Sequence, residues 1–133
     1  MNPPIHHGRC GCGAVSFTLS GALPAVGYCH CSQCRRQTGL YYASVTVDKG
    51  ALVWDGLEQA SIYRSSETAE RGFCRRCGSA LFWREDGAGE VSIMAGLLDM
   101  PSGLQGGYHI HCDDKGDFYP IADGLPQFAR GRS

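Results

Sequence analysis

The sequence predicts a mainly β fold with one or two short helices, tied together by metal. Three observations carry this. Apolar residues alternate over short runs bounded by turn signals, as at 14–19, where Val15, Phe17 and Leu19 share one face. Glycine is frequent, 19 of 133 residues, which favours tight turns over long helices. Seven of the eight cysteines fall in three dense clusters: Cys10 with Cys12, Cys29 with Cys31 and Cys34, and Cys74 with Cys77.

Each element follows in order. After the strand at 14–19, residues 21–24 read as a turn, and 26–28 lead into the middle cysteine cluster. Ser32 is placed to cap a short helix that Gly39 stops. Cys34 then sits in the first helical turn, where a thiolate is favoured. Residues 40–47 are rich in β-formers, and 52–54 and 61–64 read as further strands. Residues 70–73 approach the third cluster and 80–83 leave it. Asp86-Gly87-Ala88-Gly89 reads as a hairpin loop before a strand at 90–95. A last short strand at 108–112 precedes a docked turn at 123–128. The length predicts one domain, 1–133.

Composition excludes several classes. Twelve basic and thirteen acidic residues leave a net charge near zero, without the basic stripe that phosphate binding needs, so no nucleic-acid partner is expected. Arg35-Arg36 and Arg75-Arg76 are the only basic pairs, each beside a cysteine cluster. No apolar run approaches the roughly 18 residues of a membrane span, and the N-terminus has no apolar signal core. A soluble, cytoplasmic protein is expected. In that compartment thiols stay reduced, so clustered cysteines point to metal rather than disulfides.

Zinc takes four ligands in a tetrahedron and binds thiolates well. Cys10-Gly11-Cys12 and Cys74-Arg75-Arg76-Cys77-Gly78 form a two-plus-two set, predicted to hold one structural zinc and to close a loop of about sixty residues. The middle cluster offers three thiolates from one local segment. Three readings stand open for it. It is a zinc site with an open position for water or substrate, a site closed by His30, His109, His111 or Cys112, or a cluster without metal.

These residues carry a resemblance. Gly8-Arg9-Cys10-Gly11-Cys12-Gly13, Cys29-His30-Cys31-Ser32-Gln33-Cys34-Arg35-Arg36-Gln37-Thr38-Gly39 and Phe73-Cys74-Arg75-Arg76-Cys77-Gly78-Ser79 occur in the order of the glutathione-dependent formaldehyde-activating enzyme family, which includes centromere-protein-V-like members. Ala95-Gly96, Leu98-Asp99, His109-Ile110, Lys115 and the stretch from Asp123 to Phe128 extend the match along the chain. The resemblance implies an Mss4-like fold of folded β-sheets. It implies a structural zinc on Cys10, Cys12, Cys74 and Cys77, and a second, catalytic zinc on Cys29, Cys31 and Cys34. The activity it implies is addition of glutathione to formaldehyde, a carbon–sulfur lyase reaction. Leu97, His111, Cys112 and Phe118 depart from the family pattern in the stretch expected to wall the pocket, and so bear on substrate identity.

Three functions follow as expectations. An enzyme would bind a small thiol such as glutathione at the open zinc and add it to an aldehyde, with Arg35 and Arg36 either attracting carboxylates or balancing thiolate charge. A non-enzymatic zinc-stabilised module would instead use Trp54, Trp83, Tyr41 and Tyr42 as a contact surface, against their use as ordinary core. A redox or metal sensor would cycle a disulfide among Cys29, Cys31 and Cys34.

Overall fold

Short strands joined by glycine turns build two sheets. In the computed structural model, which describes residues 3–132, strands β1 (Ile5–Arg9), β2 (Ser16–Ser20) and β5 (Leu52–Asp55) form a three-stranded antiparallel sheet in the order β1-β2-β5. The second sheet has seven strands: β3 (Val26–Cys29), β4 (Tyr42–Asp48), β6 (Ala60–Arg64), β7 (Ala69–Cys74), β8 (Ala80–Glu85), β9 (Glu90–Met94) and β10 (Gly106–Ile110). Their order is β10-β3-β4-β9-β8-β7-β6, and every neighbour is antiparallel except β10, which pairs parallel to β3. The mainly β architecture is the one the alternation and glycine content predict.

The core lies between the sheets. Val15, Phe17 and Leu19 come from the small sheet and its approach, and Val45, Leu81, Phe82, Val91 and Ile93 from the large one. Two cross-strand pairs show how closely the backbones are covered. Gly8 stands opposite Phe17 and Gly72 opposite Phe82, and a Cβ at either glycine would meet the facing ring at 2.3 Å and 2.4 Å respectively. The rings therefore lie flat over bare backbone, a use of strand glycine that any side chain forbids. Of the aromatics offered as a contact surface, Tyr42 is buried and Tyr41, Trp54 and Trp83 are half-buried, Trp54 packing edge-on to Phe17.

The helix, α1 (Ser32–Thr38), starts one residue earlier in its capping than the sequence suggests. Cys31, not Ser32, is the N-cap: its backbone is extended and its sulfur accepts the Cys34 N–H at 3.3 Å. Ser32 is instead the first helical residue. Gly39 ends the helix as expected, in the left-handed conformation (φ 85°) with its N–H on the Arg35 carbonyl. Strand β1 has no counterpart in the sequence reading. The predicted turn at 123–128 is present as a docked segment: His109 donates its backbone N–H to the Pro126 carbonyl, and Phe128 donates to the His109 carbonyl. No helix of the described residues is long and apolar enough to cross a membrane.

Candidate metal centres

Cys10 leaves the end of β1 and Cys74 closes β7, so the first cluster forms where the two sheets meet. Gly13 (φ 80°) folds the first loop back, donating to the Cys10 carbonyl. Gly78 (φ 80°) does the same for the second loop, donating to the Cys74 carbonyl at 2.8 Å. Ser79 links the loops, accepting the Gly11 N–H at 2.9 Å and lying 3.2 Å from the Cys77 sulfur. That hydroxyl is the leading cause of a Cys77 thiol lowered to about 5. All four sulfurs lie within 4.8 Å of one another, with Cys10 to Cys12 at 3.7 Å and Cys12 to Cys74 at 3.8 Å. A tetrahedron of zinc–sulfur bonds of about 2.3 Å has edges of about 3.8 Å. The donor set thus fits the ion in chemistry and in spacing. All eight cysteines are free thiols.

The second cluster is local. Cys29 ends β3, Cys31 caps α1 and Cys34 lies in its first turn, and their three sulfurs lie within 4.8 Å of one another. Such crowding splits their proton affinities. Hydrogen bonds from Cys29 and Cys34 hold the Cys31 thiol well below its usual range, while Cys31 and Cys34 push Cys29 far above it. Three cysteine sulfurs this close can reach one ion together, so this set too fits zinc. No fourth His, Cys, Asp or Glu atom among the described residues joins the three.

The four residues considered for closing that site are placed elsewhere. His30 is fully buried and its ring nitrogens are taken: Nδ1 lies 2.6 Å from the Tyr119 hydroxyl and Nε2 lies 2.8 Å from His109 Nδ1. His109 in turn places Nε2 2.8 Å from Asp123 Oδ2. Burial, reinforced by His109, lowers His30 to about 4, so its ring is neutral near pH 7. His111 takes the left-handed conformation (φ 55°) and donates its backbone N–H to Arg130, while Cys112 donates its N–H to Phe128. Neither belongs to the three-sulfur group.

One residue at this site carried no sequence signal. Arg71, in the middle of β7, is buried and reaches across to α1. Its guanidinium donates to Gln37 Oε1 at 2.7 Å and to the Cys34 sulfur at 3.4 Å, and lies over the Tyr42 ring. Beside it opens a groove of about 380 Å³ lined by Gln33, Arg36, Gln37, Tyr63, Arg64 and Arg71. Arg36 is exposed on its wall, while Arg35 is half-buried.

A family model described as glutathione-dependent formaldehyde-activating enzyme matches residues 5–114. The chain belongs to that family. It is 39% identical over 83 residues to a Halomonas elongata protein named "Putative glutathione-dependent formaldehyde-activating enzyme", covering 56% of this chain and 53% of that one. It is 28% identical over 126 residues to an uncharacterized lyase of Schizosaccharomyces pombe, covering 94% and 91%. The chain therefore spans about half the length of the first relative and nearly all of the second. The crystal structure of a Rhodobacter sphaeroides protein shares the fold, with a TM-score of 0.61, 24% identity and coverage of 92% and 98%.

Proposed function

We propose that this family member is a zinc-binding enzyme of the carbon–sulfur lyase type, which adds a small glutathione-like thiol to an aldehyde such as formaldehyde. The observation that carries this reading is the trio of Cys29, Cys31 and Cys34, drawn together without a fourth side-chain ligand among the described residues. The family description and the names of the two relatives support the reaction class.

The division of labour follows from placement. Cys10, Cys12, Cys74 and Cys77 would hold a structural zinc at the junction of the sheets. Cys29, Cys31 and Cys34 would hold a second zinc, which when bound lowers the pKa of a coordinated thiol and polarises a neighbouring oxygen. Arg71 offsets thiolate charge through its contact with Cys34. The groove beside it offers Arg36 and the amides of Gln33 and Gln37 to the carboxylates of a peptide thiol. His30, locked on both ring nitrogens, fixes the loop between Cys29 and Cys31.

The test is the initial rate of S-hydroxymethylglutathione formation from glutathione and formaldehyde, with zinc counted by elemental analysis. Two zinc ions per chain and acceleration that Cys31→Ser abolishes are expected. A native protein that does not accelerate the addition overturns the reading for these substrates.

A further inference from the structure

His30 stands in sequence between two of the clustered cysteines, yet its ring belongs to another set of contacts. It is fully buried, and each ring nitrogen meets a side chain from the far end of the chain, 89 and 79 residues on. Nδ1 lies 2.6 Å from the Tyr119 hydroxyl. Nε2 lies 2.8 Å from His109 Nδ1, and Asp123 Oδ2 holds His109 in turn at 2.8 Å from its Nε2. Tyr119 is itself fixed. Lys115 Nζ donates to the carbonyls of Gly116 and Tyr119 and lies 4.5 Å from the centre of the Tyr119 ring. The backbone repeats the link: Ile110 stands opposite Cys29, and the His30 N–H donates to the Ile110 carbonyl at 3.1 Å. An apolar side chain would fill this space without desolvating two imidazoles. What the polar chain adds is a single arrangement, because any other ring position leaves a buried donor or acceptor unpaired. The first cluster has no need of such bracing, since the turns at Gly13 and Gly78 and the Ser79 hydroxyl hold its loops locally.

We propose that Tyr119, His109 and Asp123 are positioning residues for the second metal centre. By clamping the His30 ring from both sides they hold Cys29 and Cys31 at the spacing of one ion, and so set how tightly that cluster keeps its zinc. The proposal rests on the reading that Cys29, Cys31 and Cys34 bind a second zinc. The three residues act through His30, and none of them belongs to the sulfur group. A three-sulfur site gives its ion one protein bond fewer than a closed tetrahedron, so the cost of ordering the ligands weighs more in its affinity. Contacts outside the ligand shell commonly change metal affinity about 10–100-fold. The segment after β10 therefore does more than cover the sheet edge, because it tunes one of the two clusters and leaves the other alone.

The experiment titrates zinc-loaded full-length protein with a coloured zinc chelator, in native form and as Tyr119→Phe, Asp123→Ala, Asp123→Asn and Leu19→Val. Native protein is expected to give up two ions at different chelator concentrations, and Cys31→Ser identifies the one held by the second cluster. Tyr119→Phe keeps the ring and loses only the hydroxyl, whereas Asp123→Ala removes the carboxylate. Each should weaken the second ion about tenfold and leave the first within twofold of native. Asp123→Asn, which keeps an oxygen for His109, should recover most of the loss. Leu19→Val truncates the core of the other sheet and controls for general destabilisation, so its second ion should stay within twofold of native. A second affinity within twofold of native in both Tyr119→Phe and Asp123→Ala would overturn the proposal, as would an equal loss in Leu19→Val. Should native protein hold one ion only, the second zinc is wrong, and alkylation of Cys29 and Cys31 by iodoacetamide, read by mass spectrometry, decides alone. Faster alkylation in Tyr119→Phe and Asp123→Ala than in native protein keeps the clamp, and equal rates remove it.

Discussion

His30 and His109 face each other through a 2.8 Å hydrogen bond between Nε2 and Nδ1, across 79 residues of sequence. The Asp123 carboxylate anchors one end of this chain of contacts. Asp123 accepts from His109 Nε2; in the neutral tautomer this selects, His109 Nδ1 accepts from His30 Nε2, and His30 Nδ1 accepts from the Tyr119 hydroxyl. The result is a directed line from Tyr119 to the molecular surface at Asp123, buried along both imidazoles.

Breaking the line in the middle should be costly. His109→Phe fills much of the volume but leaves His30 Nε2 a buried donor without an acceptor, a loss of about 1–3 kcal/mol. Urea unfolding of the zinc-loaded protein measures it. Stability equal to native would show that His30 finds another partner.

The same line predicts a pH effect. The Leu125 N–H and then His109 hold the Asp123 carboxyl below its ordinary value. A carboxyl lowered on folding stabilises the native state above its unfolded pKa of about 3.9, and that contribution fades as pH falls through the lower native value. Asp123→Asn should therefore be less stable than native above about pH 4, with the gap closing as the solution is acidified. Melting temperatures of the two proteins across that range test the sign.

Removing metal should separate the two cysteine clusters. The first joins the ends of β1 and β7 and so crosses between sheets, whereas the second lies within six residues. A structural zinc contributes on the order of 10 kcal/mol, comparable with the whole stability of a small domain. Cys77→Ser should lose near-ultraviolet circular dichroism and cooperative melting. Cys31→Ser should keep both while losing one zinc by elemental analysis.

Packing over bare backbone gives a prediction free of metal. At Gly72 an added Cβ would lie 2.4 Å from the Phe82 ring, which cannot swing away because it is 1% exposed. Gly72→Ala should cost about 1–3 kcal/mol by overpacking. Gly89→Ala, where a Cβ meets nothing within 4 Å, is the control in the same denaturation series.

What the sequence discloses and what it hides divide along physical lines. Local signals are legible: the alternation through Val15, Phe17 and Leu19, the left-handed Gly39, and the loop through Gly87 with its φ of 74°. Strand β1 is not, because His6, His7 and Gly8 give no apolar alternation, and Gly8 is there to admit the Phe17 ring. The Cys31 cap escapes because sulfur is a weak acceptor and the neighbouring Ser32 is the stronger conventional candidate. The cysteine clusters announce themselves by spacing, but Arg71 does not. A lone arginine in a strand looks like any solvated one until β7 is laid beside α1. The parallel pairing of β10 with β3, which brings His109 to His30, depends on contacts too distant for any local pattern to encode.

The docked tail has a practical consequence for anyone trimming the gene. A fragment that stops after Cys112 would keep every thiol yet discard Tyr119 and Asp123, stranding both imidazoles. It would also discard Arg130, whose carbonyl secures His111. A truncated expression product should therefore retain the chain through Arg130, even though its last strand ends twenty residues sooner, at Ile110.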